Sequence, residues 1–250
     1  LYNQNNPKYF DRVNFHYHYP ESKSLLIIEH PIKLIETLIL RDLEILPQLI
    51  TNKDSYFDDE RFYNLFNTTK IISNALMNVI NPMNTITNIK GVKIEDIKNN
   101  TTKAVSLIAD WIGIKNDSSL YVNEFLGKKF NQSLFDLENA SEFEPNEITA
   151  PLGRVFGEKD IKILETLFWP FMSLYDYTEL SEAEFLKNLK IIKPWLDEPF
   201  QFEIDIHNQL PDDKPEIKDI MPLNEFRNNL KSYWEILNSN KTYPSIIKPL

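Results

Sequence analysis

Two imidazoles stand two residues apart in "FHYHY", His16 and His18, and a third, His30, follows the apolar run "LLII" and Glu29. On an extended segment residues two apart face the same side, so His16 and His18 would present a pair of proton acceptors there. The same five residues also read as an aromatic surface turn or an edge strand. No carboxylate completes a ligand spacing with His16, His18 and His30, so no metal is expected. The cations nearest Glu29 are Lys33 and Arg41, which also read as solvated helix charges, and Arg154 lies in the loop-like "PLGRVFG". Lys128 and Lys129 in "GKKF" read as a solubilising pair, and Glu95 with Asp96 as a strand-end turn and helix-end electrostatics. No Ser-His-Asp order and no phosphate-loop consensus is present.

These groups must be held by elements legible from periodicity. Leu25 to Ile28 form a continuous apolar run, expected for a strand covered on both faces of a parallel sheet. Pro31 then suits a first helical position, and Ile32, Ile35, Leu38, Ile39 and Leu43 recur at helical spacing. A second helix is expected in residues 58–80, and a short strand carrying Val92 and Ile94. A clear helix follows with Ala104, Val105, Ile108, Trp111 and Ile112 on its buried stripe, Asn99 or Asn100 as its cap and Gly113 as its stop. Periodicity fades from Tyr121 to Gly157, as in long functional loops. "EKDIKILETLFWPFMSLYDY" is a further helix with a kink expected at Pro170. From residue 178 the chain reads as short helices separated by an acidic, proline-containing link over 203–222.

Composition bounds the function. The chain has 250 residues, 42% hydrophobic and 12% aromatic, enough for one large or two small cores. A net charge of -10 and a pI near 5.0 argue against nucleic acid and anionic membrane surfaces as partners. The absence of cysteine excludes disulfides, thiolate metal sites and thiol nucleophiles. No run is long and apolar enough for a membrane span, and "LYNQNNPKYF" lacks signal-peptide character, so a cytoplasmic protein is expected. The matches to N-x-S/T follow the general abundance of asparagine and are not read as glycosylation sites.

Three stretches, taken in order, resemble the later portion of sulfotransferases that use 3′-phosphoadenosine 5′-phosphosulfate (PAPS). "YPESKSLLIIEHPIKLIETL" resembles that family's "FPxAKFI"-type lead-in, strand, Arg-x-Pro-type turn and serine-bearing helix. "GVKIEDIKNNTTKAVSLIADWIGI" is similar to its "xxYEDLxxDPxxxxxxIxxFLGI" stretch. "FLGKKFNQS" and "PLGRVFGEKDIKILETLFWPFMSLYDY" are similar to its "GxxWxGxS" segment, basic loop and closing helix. The likeness covers roughly residues 20–177.

The resemblance implies an α/β fold of the P-loop type, a parallel sheet flanked by helices, over 1–177, and the short helices over 178–250 read as a C-terminal extension docked on it. It implies sulfonate transfer from PAPS, without a metal, to a hydroxyl or amine acceptor, whether a small molecule, a lipid or a glycan. His16 or His18 would be the base, and Thr37 and Arg154, with Lys33 nearby, would hold the nucleotide. Two departures weigh against this activity. The family's phosphate-binding arginine falls on Glu29, an anion whose repulsion of a phosphate costs several kcal/mol, by order of magnitude, at an effective dielectric of about 20. None of the five glycines precedes Gly91, so the family's glycine-containing phosphate loop has no counterpart upstream of residue 25. Either a preceding segment supplies that loop, or the fold serves a non-catalytic protein that binds a partner.

Overall fold

The computed structural model describes residues 15–51, 88–121, 124–125, 128–129, 152–209, 223–239 and 246–250. The helix expected over 58–80 and most of the irregular segment lie outside them. Among the described residues the protein is mostly helical around a small parallel sheet. Strand β1 (Ser24–Ile28) pairs in parallel with β2 (Ile89–Lys93), Ser24 opposite Ile89 and Ile28 opposite Lys93. The stretch 246–250 runs along the other edge of β2: the N–H of Gly91 donates to the Lys248 carbonyl at 3.0 Å, and that of Leu250 to the Gly91 carbonyl at 2.9 Å. A two-residue antiparallel pair, β3 (Glu124–Phe125) and β4 (Lys128–Lys129), stands apart.

Helix α1 (Pro31–Thr51) follows β1 after two residues. Its stripe of Ile32, Ile35 and Ile39 is fully buried, as the spacing predicts. β1 itself is less enclosed than its apolar run predicts, because Ile27 is 54% exposed. Ile94 does not continue β2; it opens α2 (Ile94–Asn99), whose first turn carries Glu95 and Asp96 where the helix dipole favours anions. Helix α3 (Thr101–Ile112) ends on Gly113, whose φ of 87° is the left-handed stop that glycine supplies at least cost. Asn100 is its N-cap by position, but its side chain caps nothing, and Ile112 at the far end is exposed.

The expected long helix after Gly157 is two: α4 (Glu158–Leu167) and α5 (Trp169–Leu174). The break falls at Phe168 rather than Pro170, which sits in the first turn of α5 where its missing N–H costs little. Helices α6 (Glu182–Ile191), α7 (Gln201–Gln209) and α8 (Leu223–Asn238) follow. Part of the acidic link is therefore helical, and 210–222 lies outside the described residues. One buried carboxylate ties two of these helix starts together, since Asp160 accepts the N–H of Gly157 at 3.1 Å and of Gln201 at 2.8 Å. The core runs continuously from Ile28 and the α1 isoleucines through Phe156, Leu164, Phe168 and Phe171 to Phe200, Phe202, Phe226 and Leu230.

Candidate functional site

β1 and β2 are parallel, so their carboxyl ends open on the same edge of the sheet, where α/β proteins bind ligands. Glu29 and His30 leave β1 there, and Glu95 and Asp96 leave β2. Tyr177, three residues beyond α5, joins them by donating its hydroxyl to Glu95 Oε2 at 2.7 Å. The His30 ring meets the Tyr177 ring edge-on, with centroids 5.0 Å apart, and Lys93 Nζ lies 5.5 Å from the centre of the same ring.

This edge carries both carboxylates and lysine ammonium groups. Loss of water around Glu29 and the nearby Glu95 carboxylate push its carboxyl above the usual range, against the opposing pull of Lys98 and Lys33. Burial, followed by repulsion from Lys33, lowers His30 to about 4, so it is neutral at pH 7, and its Nδ1 has no hydrogen-bond partner among the described residues. Burial and the hydrogen bond to Glu95 hold the Tyr177 phenol in its protonated form. Among the described residues a phosphate would meet three carboxylates here, Glu29, Glu95 and Asp96, beside the lysines Lys33, Lys93 and Lys98.

A second cluster forms along α1. Glu36 is fully buried, and its Oε1 accepts three successive backbone N–H groups: Gly153 at 3.0 Å, Arg154 at 2.6 Å and Val155 at 3.1 Å. Its Oε2 faces Arg154 Nε at 3.4 Å. Gly153, with φ of 95°, bends the loop so that the three amides converge. Such a concave run of N–H groups is an anion-binding nest, and here its anion is a side chain of the same molecule.

Of the residues singled out from the sequence, the structure brings Thr37 and Arg154 together, with Arg154 Nη2 donating to Thr37 Oγ1 at 3.4 Å. Lys33 lies one turn before Thr37 on α1 and is half-buried. The histidine pair is not brought to them. Residues 15–18 form a helical turn, which corrects the extended reading: two residues apart on a helix are roughly 200° apart, so the rings diverge. His16 is buried, with Nε2 at 2.8 Å from Ser24 Oγ and Nδ1 at 3.4 Å from Ser22 Oγ, and His18 is exposed. Ser24 opens β1, so His16 stands at the amino end of the strand, about 15 Å of extended chain from the edge that carries Glu29.

Glu36 is the side chain at the centre of this cluster that the sequence reading did not single out. A signal for it exists, because it falls four residues after Ile32 and beside Ile35, a charge set on the apolar stripe of α1. Among the described residues no group of three or more His, Asp or Glu side chains could hold a metal ion, and no helix is long and apolar enough to cross a membrane. No protein-family model, curated protein or solved structure matches the chain.

Proposed function

We propose that this chain is a sulfotransferase-like α/β protein that binds a partner and does not transfer sulfonate, its anion-binding loop being held shut from within. The observation that carries this reading is the Glu36 carboxylate seated in the 153–155 nest. Three amides and a guanidinium that could receive a phosphate of PAPS are already satisfied by an internal anion. Displacing that anion would strand a buried charge, which costs about 3–5 kcal/mol. Glu29 and Glu95 reinforce the exclusion at the neighbouring strand ends.

The proximity of Thr37 to Arg154 favours a second reading, in which the nucleotide site survives and the chain transfers sulfonate to a hydroxyl or amine acceptor. The placement of His16 and His18 at the amino end of β1 speaks against either as its base. Calorimetric titration with 3′-phosphoadenosine 5′-phosphate separates the two. The unmodified chain is expected to show no micromolar binding, and Glu29→Arg combined with Glu36→Ala to gain affinity. Micromolar binding by the unmodified chain would overturn the closed-loop reading in favour of the transferase.

A further inference from the structure

A cavity of about 270 Å³ opens at the carboxyl end of β2, between α2 and α3 on one side and the turn after α5 and the 246–250 stretch on the other. Its volume is close to the roughly 300 Å³ lower end of small-molecule sites, so it suits a ligand of a few heavy atoms. It is separate from the Glu36 loop, and nothing in its chemistry depends on whether that loop admits an anion.

The lining is divided by chemistry. Leu107 of α3 and Leu174 of α5 both face it and are 44% and 39% exposed, two large apolar side chains left open at one concave place. Lys93 and Asp96 also line it but neutralise each other, with Nζ 3.8 Å from Oδ2, and Lys93 lies over the Tyr177 ring as well. Lys103 on α3 and Asp176 after α5 are different. Neither side chain has an ion pair or hydrogen bond among the described residues, and they come from different elements, α3 and the turn after α5. Asp176 adopts φ of 54°, the sole positive-φ non-glycine among the described residues, in a conformation that aspartate tolerates better than most side chains.

We infer that this cavity binds a free amino acid with an apolar side chain, its carboxylate on Lys103, its ammonium on Asp176 and its side chain against Leu107 and Leu174. One charge of each sign without an internal partner, lining the same cavity as two exposed leucines, suits a zwitterion with an apolar side chain better than a simple anion or cation. A ligand carrying one charge would engage only one of the two side chains.

The test is calorimetry on the full chain with L-leucine, isocaproate, which lacks the amine, and isoamylamine, which lacks the carboxylate. L-leucine is expected to bind saturably and about tenfold more tightly than either analogue, since each lost charge-assisted hydrogen bond is worth about that factor. Lys103→Met and Asp176→Asn should each weaken L-leucine about tenfold. Both positions are solvent-exposed, and asparagine keeps the left-handed backbone, so unchanged urea midpoints will show that the fold is retained. Absence of saturable L-leucine binding up to about 10 mM overturns the inference, as does equal binding of either analogue or indifference to both substitutions.

Discussion

The hydroxyl of Tyr175 fills the space that a side-chain carbon on Gly91 would need, and it donates to the carbonyl of Ile247 at 2.7 Å. The missing side chain on β2 thus admits a buried phenol that ties α5 to the 246–250 stretch. Gly91→Ala forces that hydroxyl and Ile28 to move, at a cost of about 1–3 kcal/mol. Tyr175→Phe alone leaves the Ile247 carbonyl without its donor and costs about 1 kcal/mol. In the double variant the phenol oxygen is gone, so the two losses should not add. Urea unfolding of the four proteins measures this, and strictly additive losses would refute the steric account.

Glu36→Ala removes the acceptor of three backbone amides and the partner of Arg154, with an expected loss of about 3 kcal/mol. Glu36→Gln keeps an oxygen for the nest and should lose less. The vacated nest should then accept an external anion. Sulfate is expected to raise the Tm of Glu36→Ala by more than it raises that of the unmodified chain, with chloride at matched ionic strength as the control for general salt effects. Equal shifts in both proteins would show that the loop has no anion site to vacate.

The parts of the fold that were legible are those whose signal is local. Gly113 marks the end of α3 because a left-handed stop needs glycine, and the α1 stripe follows from the spacing of Ile32, Ile35 and Ile39. Thr37 and Arg154 were reached only through a family resemblance. The closed loop was not legible, because its amides lie more than a hundred residues along the chain from Glu36 and backbone N–H groups leave no mark on composition. The facing of the histidine pair was not legible for another reason, since spacing in "FHYHY" assigns faces only after the local conformation is known. Ile27 gave no warning of its exposure, because an apolar run looks the same whether one or both faces are covered.

His30 gives the protein a pH dependence whose sign is fixed by its burial. In the unfolded chain the imidazole takes up a proton near 6.5, and in the folded protein only near 4, mainly because burial disfavours the charge and secondarily because of Lys33. The unfolded state therefore binds more protons between these values. The stabilisation is fully present above pH 6.5 and is lost as the pH falls toward 4, by about 3 kcal/mol. Glu29 contributes in the opposite direction: its raised carboxyl favours the folded state at low pH and loses that contribution as the pH rises. His30→Leu isolates the imidazole, and the loss of stability between pH 6.5 and 4.5 should be smaller in the variant than in the unmodified chain. The same decline in both would assign the effect to other groups.

The helices beyond residue 178 share side-chain contacts with those before it closely enough that neither part should fold alone. Trp169 stacks on Phe185 with centroids 4.5 Å apart and donates Nε1–H to the Leu180 carbonyl at 2.8 Å. Phe156 meets Phe200 and Phe202 edge-on, and Gly91 in β2 depends on Lys248 and Leu250 for its outer hydrogen bonds. Each buried phenylalanine contributes about 2 kcal/mol that a truncated chain would forfeit, and domain stabilities are only about 5–15 kcal/mol. A fragment of residues 1–177 is accordingly expected to show no cooperative thermal transition, while the full chain melts in one step with equal calorimetric and van't Hoff enthalpies. A sharp melt of the fragment would mean that the first 177 residues hold a self-sufficient core and that the C-terminal helices are an accessory to it.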